Sequence, residues 1–152
     1  MERTKAKIYL AARFARRDEM RTIAAELRDE GFDITARWLD STEPITSGEL
    51  RSPVAAAHLA TNDVDDVCAA NICIAFTEEL HHPSPGRGGR HTEFGIALAS
   101  GAHMVVVGPR EHIFHCLPQV SQFDDWTDAR RHLAGWARAP ATNTDAELGV
   151  PA

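Results

Sequence analysis

The sequence predicts a three-layer α/β domain, in which helices cover both faces of a mainly parallel sheet. Short apolar segments alternate with longer amphipathic segments along most of the chain, as in strand–helix–strand units. The segment Met104-Val105-Val106-Val107 is apolar throughout, as expected for a strand buried on both faces. A chain of 152 residues is long enough for one such domain and its core.

The first half of the chain predicts two strands and two helices. In order, these are a strand over 7–11, a helix over 16–29, a strand over 32–36 and a helix over 53–70. The first helix carries apolar residues at helical spacing and is followed by Gly31, a residue typical of the position just past a helix. In the second helix, Leu59, Val64 and Val67 are the core candidates.

The second half predicts three more strands and two helices. In order, these are a strand over 71–76, an irregular loop over 81–90, a helix over 92–100, strands over 104–107 and 120–123, and a helix over 126–136. The tail 139–152 has no apolar period and is predicted to be flexible, so the domain spans 1–138. We predict a single-domain flavodoxin-like or Rossmann-like sandwich with about five strands.

Composition excludes several classes of function. The formal net charge is −6, so no overall basic field favours a nucleic-acid polymer. No apolar run is long enough to span a membrane, and the first residues do not form a signal-peptide pattern. The three cysteines form no CxxC pair and their number is odd, which favours a reduced, cytoplasmic protein with the thiols in the core.

A glycine-rich loop that leads into a helix is the strongest functional motif. The run Gly86-Arg87-Gly88-Gly89-Arg90-His91-Thr92-Glu93-Phe94-Gly95 follows a predicted buried strand, and ligands bind at the carboxyl ends of such strands. Amides at a helix start favour an ionised carboxylate, so Glu93 is a candidate nucleophile or base. The alternative is that Glu93 only complements the charge of its helix.

The order of the motifs resembles the nucleoside 2-deoxyribosyltransferase family, which includes deoxynucleoside 5′-monophosphate N-hydrolases. The resemblance rests on Ile8-Tyr9-Leu10-Ala11-Ala12-Arg13-Phe14, on Asn62-Asp63, and on the glycine-rich loop into Thr92-Glu93-Phe94-Gly95. It implies that Glu93 is the nucleophile, that Asp63 is its acidic partner near the sugar and base, and that Tyr9 orients the nucleophilic carboxylate.

The implied chemistry is consistent with these residue types. Cleavage of an N-glycosidic bond passes through an oxocarbenium-like state, which a carboxylate stabilises or captures covalently. Asp63 is the candidate proton donor to the departing base. A 2-deoxy sugar is the expected substrate because the cation forms more easily without the 2′-hydroxyl. The alternatives are that Asp63, beside Asp65 and Asp66, is merely solvated and that Tyr9 only packs in its strand.

Arginines around the loop point to a possible 5′-phosphate. Arg13, Arg87 and Arg90 lie in or near loops where guanidinium groups and backbone amides could hold a phosphate, although they could equally form a solvated rim. An acid that the transferases place before the nucleophile is replaced here by Arg87, which leaves base recognition open. The predicted substrate-binding residues are Arg13, Phe14, Gly86, Arg87, Gly88, Gly89, Arg90 and His115.

The sequence also leads to expectations about metals, cofactors and partners. The histidines show neither HExxH nor paired CxxC spacing, so no metal and no cofactor are expected. The expected partners are a small-molecule nucleoside or nucleotide and a nucleobase. The resemblance also implies a homo-oligomer, in which His115 could reach a neighbouring subunit's site.

Three functions therefore remain open from the sequence. The first is transfer of deoxyribose between nucleobases through a Glu93-linked sugar, and the second gives that sugar to water. The third is a non-catalytic nucleotide-sensing module. A more distant enzyme alternative is a phosphoribohydrolase with a Gly-Gly-x-Gly-Thr-x-x-Glu loop, which residues 88–93 resemble only in part.

Overall fold

Five parallel strands form the central sheet of the computed structural model, which describes residues 4–41, 52–83 and 88–138. The sheet has the order β2-β1-β3-β4-β5, and every neighbouring pair is parallel. The strands are β1 Lys7–Ala11, β2 Asp33–Ile34, β3 Ile72–Phe76, β4 His103–Val107 and β5 Val120–Phe123. The predicted α/β fold with about five strands is confirmed, and the order is that of a flavodoxin-like sheet.

Four helices cover the sheet. They are α1 Arg17–Asp29, α2 Pro53–Cys68, α3 Gly89–Ala99 and α4 Trp126–Arg138. On one face, α1 and α4 are joined where Trp126 donates to a Glu26 carboxylate oxygen at 2.9 Å and Arg130 pairs with the same carboxylate at 3.1 Å. Right-handed crossovers place α2 and α3, which contact each other, on the opposite face. None of the helices in the described segments has the length and apolar character needed to cross a bilayer.

Strands β3 and β4 are buried, as their apolar sequences predicted. All five residues of β3 are buried, and so are four of the five in β4. The amphipathic face of α1 also packs as expected, since Met20, Ile23, Ala24 and Leu27 are buried. Burial of strands from both sides by helices explains why these segments need no polar face.

Three local predictions were wrong. The strand β2 is only two residues long, because it is an edge strand that pairs with β1 alone. In α2, Leu59 and Val64 are 37% and 42% exposed, and only Val67 of the core candidates is buried. Of the three thiols, Cys73 is buried but Cys68 and Cys116 are exposed. The errors in α2 and at the two cysteines arose because apolar character was taken as burial, which the number of covering neighbours decides.

The start of α3 also differs from the prediction. The helix begins at Gly89, three residues before the predicted start, and Gly88 precedes it with a φ of +87°. Such a left-handed conformation favours glycine, so Gly88 explains where the helix can begin. Glu93 is therefore the fifth residue of the helix and lies past its first turn.

Candidate active site

The residues at the topological switch point form the candidate active site. The chain leaves β1 toward β2 on one side and reaches β3 on the other, and this reversal opens a crevice at the carboxyl ends of the strands. Tyr9 comes from β1, Asp63 from α2 and Glu93 from α3. Each of these three groups alters the electrostatic environment of another, so the fold brings together residues separated by up to 84 positions in sequence.

Glu93 has a carboxyl group whose pKa lies near neutral pH. Burial raises its pKa to about 7, the negative charge of Asp63 adds to this, and the Tyr9 hydroxyl and the Arg90 charge oppose it. The sequence predicted that helix amides favour an ionised Glu93, but burial acts in the opposite direction and raises its pKa. Since Glu93 lies past the first turn of α3, burial outweighs the helix-terminus effect, which is confined to that turn.

Asp63 is the second acid with a raised pKa. Burial raises its pKa to about 6, and the neighbouring charge of Asp66 contributes, while Arg37 lowers it. Asp66 has a different role, because it accepts hydrogen bonds from the backbone N–H and the Nε of Arg37 at 2.8 and 2.7 Å. Asp65 is exposed. Among the three neighbouring acids, Asp63 is thus the one whose charge acts on Glu93.

Tyr9 lies fully buried beneath the two acids. Burial raises the pKa of its hydroxyl far above the ordinary value, and the charges of Glu93 and Asp63 add to the effect. The hydroxyl makes no hydrogen bond of regular geometry within the described residues, although it is near enough to Glu93 for each group to influence the other. A neutral phenol in this position can donate to a carboxylate but cannot compete with it as a base.

The pair of acids can share one proton at neutral pH. The charge of Asp63 raises the pKa of Glu93, so the ionisation of Glu93 depends on that of Asp63. With the pKa of Asp63 near 6 and that of Glu93 near 7, the proton lies mainly on Glu93 in the ligand-free protein, and it has to move to Asp63 or to a bound base before Glu93 can act as a nucleophile. The site therefore suits substitution at a carbon that carries a basic leaving group.

The described arginines near the site are held by internal acids. Arg13 donates to His82 at 2.9 Å and pairs with Glu78 at 3.7 Å, while Arg90 forms a two-point pair with Glu111 at 2.8 and 2.7 Å. Their charges are thus largely compensated within the protein. The predictions for Gly86 and Arg87 fall outside the described residues.

Phe14 follows β1 in the chain, and the two described loop glycines lie at the start of α3. Phe14 is half-buried in a short 3-10 helix, Phe14–Arg16, and its ring centroid lies 6.2 Å from that of Trp38. Trp38 is fixed by a 2.9 Å hydrogen bond to the Leu10 carbonyl on β1. A side-chain carbon added at Gly88 or Gly89 would meet no atom within 4 Å, so space is open at the start of α3.

His115 does not lie at an exposed edge. The residue is 1% exposed, its ring centroid is 4.8 Å from that of Phe94, and its Nδ1 accepts a hydrogen bond from the Glu111 N–H at 3.1 Å. This placement gives no support to a substrate contact across a subunit boundary. Instead, His115 belongs to a cluster with His91 and His112 that the spacing of the sequence did not indicate.

A groove of about 310 Å³ does not have the paired acids in its lining. It is found at the carboxyl ends of β3, β4 and β5, and its lining includes Arg16, Glu78 and Trp126. A second depression, of about 430 Å³, is lined by Phe123, Asp128, Arg131 and His132. Neither is lined by Glu93, so the site is defined here by the interacting acids and not by a cavity.

The sheet order defines a doubly wound α/β protein, in which the candidate acids lie at the switch point between β1 and β3. In structure the chain is similar to a 2-deoxyribosyltransferase from the psychrotolerant bacterium Bacillus psychrosaccharolyticus, with a TM-score of 0.58 and 20% identity over 82% of this chain and 90% of the other. It is also similar to the Clostridium botulinum CMP N-glycosidase BcmB, with a TM-score of 0.51 and 17% identity over 84% and 97%.

These similarities establish the fold. At 17–20% identity they confirm that the resemblance noted in the sequence extends to the arrangement of strands and helices over most of the chain. No family model matches the sequence, and no curated protein matches it significantly.

Proposed function

We propose that this protein cleaves the N-glycosidic bond of a 2′-deoxynucleoside and transfers the sugar to another nucleobase through a Glu93-linked intermediate. The observation that carries the proposal is the half-buried pair of Glu93 and Asp63, with pKa values near 7 and 6, close enough to the Tyr9 hydroxyl to affect its pKa. The fold shared with a 2-deoxyribosyltransferase and a CMP N-glycosidase favours the same chemistry.

The first step forms one bond and breaks another at the anomeric carbon. The proton that the ligand-free pair holds mainly on Glu93 first passes to Asp63. The Glu93 carboxylate then attacks C1′ as the bond from C1′ to the base nitrogen breaks, and the base leaves with that proton from Asp63. In the second step a nitrogen of the incoming base attacks C1′, its proton passes to Asp63, and the Glu93 carboxylate is released. Two inversions at C1′ give overall retention.

Tyr9 positions the nucleophile in this scheme. A hydrogen bond from its neutral hydroxyl to one carboxylate oxygen of Glu93 would leave the other oxygen for the sugar. The half-buried pair of Phe14 and Trp38 offers aromatic faces on which a base could stack.

Hydrolysis at the same site is the second candidate. It is favoured by the structural similarity to the CMP N-glycosidase, which acts on a nucleotide. The phosphate of a nucleotide substrate would need cationic side chains or backbone amides as hydrogen-bond donors. Because Arg13 and Arg90 are paired with Glu78 and Glu111, we place the transferase first. A homo-oligomer, a cytoplasmic location and a domain that ends at residue 138 are parts of the proposal that stay predictions.

A product assay tests the proposal. Purified protein is incubated with a deoxynucleoside, with or without a second nucleobase, and the products are separated by chromatography. A new nucleoside is expected only with the second base, and free base at a rate independent of it would indicate hydrolysis instead. Repetition with the 5′-monophosphate tests the phosphate. Absence of either product, with nucleotide-dependent thermal stabilisation, would favour a sensing module.

Replacement of the nucleophile is the matched control. Glu93→Ala should lower kcat by at least about a thousandfold while the circular dichroism spectrum stays unchanged, because the covalent step is lost. A variant that keeps a tenth or more of the activity would contradict the role of Glu93.

A further inference from the structure

Three histidines from separate positions in the chain meet behind the active site. His91 lies in the first turn of α3, and His112 and His115 lie in the segment after β4, which includes a 3-10 helix over Ile113–Cys116. One ring nitrogen from each lies within 4.8 Å of the other two, and this is the one such cluster of three or more ligand-type residues in the part of the chain that the structure describes. We propose that His91, His112 and His115 bind a divalent transition-metal ion, with Zn²⁺ as the preferred ion.

The distances suit a small tetrahedral ion. The Nε2 of His112 lies 3.2 Å from the Nδ1 of His91, and the ring centroids of His112 and His115 are 3.7 Å apart. A tetrahedral zinc ion with Zn–N bonds of about 2.0–2.1 Å holds its nitrogen ligands about 3.3–3.4 Å apart. Since every pair of ligand nitrogens lies within 4.8 Å, the widest pair would have to close by at most roughly 1.5 Å to reach that geometry.

Glu111 gives His91 the outer contact of a metal ligand. Its carboxylate lies 3.2 Å from the Nε2 of His91, so an N–H at Nε2 donates to the carboxylate and the Nδ1 lone pair faces His112. A carboxylate behind the distal nitrogen is a common outer-shell arrangement of metal-bound histidine. The same carboxylate pairs with Arg90 and therefore offsets a cation that would otherwise oppose metal binding.

A polar atom in the cluster has no partner of its own. The Nδ1 of His112 is buried and makes no hydrogen bond within the described residues. The Nε2 of the same ring is the nitrogen that faces the Nδ1 of His91, and it is the ligand atom assigned to His112. Metal binding would replace the contact between these two nitrogens with metal–nitrogen bonds.

Such an ion would join two separate elements. It would connect the first turn of α3 to the segment that follows β4. The nucleophile candidate Glu93 lies in the same helix, just past that turn. Three imidazoles leave a fourth position for water, but His91 and Glu93 are two residues apart and so lie on different sides of the helix. The ion is therefore assigned a structural role, and this inference does not depend on the proposed function.

Spectroscopy and stoichiometry on the tag-free protein provide the test. Metal-free protein is titrated with Co²⁺, and Zn²⁺ content is measured after gel filtration. We expect one ion per chain, the visible absorption of four-coordinate Co²⁺, and a rise in Tm of about 5–10 °C at a hundredfold excess of Zn²⁺ over its Kd. Less than a tenth of an equivalent of either ion would overturn the proposal.

Paired variants separate the cluster from surface binding. His112→Gln and His91→Gln should each lower the affinity for Zn²⁺ at least about tenfold. The control is His103→Gln, because His103 lies 3.0 Å from His132 in a two-histidine contact that lacks a third ligand among the described residues. Equal loss in His103→Gln, or no loss in both cluster variants, would refute the site. His91 is 35% exposed, so its variant serves if His112→Gln does not fold.

Discussion

At the scale of single residues, burial determines what the acids can do. Glu93 and Asp63 lie in surroundings that raise the pKa of each, whereas Asp66, one turn away from Asp63, is tied to Arg37. Asp63 and Asp66, two acids of the same helix, therefore have different surroundings. This difference should affect the free energy of unfolding, because a group that is poorly solvated when ionised opposes folding.

The first residue-scale prediction concerns the proton donor. Asp63→Asn should slow substrates with poor leaving bases by at least about tenfold more than substrates with activated leaving groups, because only the former need the proton. The measurement is kcat/KM for two deoxynucleosides whose bases differ in leaving ability. A uniform reduction for both would indicate that Asp63 only positions the substrate.

The second residue-scale prediction concerns pH and stability. The pKa of Glu93 rises from 4.5 to about 7 on folding, and that of Asp63 from 3.8 to about 6. The folded protein thus binds more protons than the unfolded chain in this range, and its free energy of unfolding falls as pH rises from about 4 to 7. Glu93→Gln should therefore be more stable than the natural protein at pH 8, by about 1–3 kcal/mol, and no more stable at pH 4.

Denaturant unfolding at the two pH values measures this difference. Glu19→Gln is the control of opposite sign, since hydrogen bonds from Arg16 lower the pKa of Glu19 and its loss should not stabilise the protein at pH 8. Equal stabilisation by Glu93→Gln at pH 4 and pH 8 would show that its burial, and not its charge, is the unfavourable feature.

At the scale of secondary-structure elements, the start of α3 decides where the site residues lie. The helix begins at Gly89 because Gly88 adopts a φ of +87°. This start moves Glu93 out of the first turn and brings Arg90 and His91 into it, where both contact Glu111. A shift of the helix start by a few residues would rotate Glu93 away from Asp63.

Substitution of the two glycines tests this arrangement. Gly88→Ala should destabilise the protein by about 1–2 kcal/mol, because a side-chain carbon is strained at positive φ. Gly89→Ala, one residue later inside the helix and with no atom within 4 Å, should be neutral or stabilising by up to about 1 kcal/mol. Thermal unfolding of both variants measures the effect, and equal Tm values would contradict the helix start described here.

At the scale of the whole molecule, the two helix layers are covered unequally. In α4, Leu133 and Ala129 are both fully buried. Helices α1 and α4 also share hydrogen bonds and ion pairs through Glu26 and Glu30. In α2, Leu59 and Val64 remain partly exposed. Stability should therefore depend more on the α1–α4 layer than on α2.

A matched pair of leucines tests this inequality. Leu133→Ala should lower the free energy of unfolding by about 2–5 kcal/mol, because it leaves a cavity in a packed layer. Leu59→Ala, in a helix on the other face, should cost less than about 1 kcal/mol, since the side chain is 37% exposed. Both are measured by denaturant unfolding, and similar losses would mean that α2 is covered by something in solution, such as a second copy of the chain.

The sequence predicted the elements better than their ends. Strands β3, β4 and β5 and helix α1 were predicted nearly to their bounds, because continuous apolar runs and helical spacing follow from burial in a sheet of this kind. The start of α3 was missed, since the conformation of Gly88 depends on its surroundings. The predictions for 42–51, 84–87 and 139–152 lie outside the described residues.

From the sequence alone, local periodicity determined the layer architecture, and the family resemblance carried by the motif order singled out Tyr9, Asp63 and Glu93 as candidates. Periodicity and motif order are properties of the chain itself. Only the tertiary structure decided the pKa of Glu93, the ion pairs of Arg13 and Arg90, and the meeting of His91 with His112 and His115. The reason is physical: desolvation and charge pairing depend on distances between residues far apart in the chain, which the order of the residues does not specify.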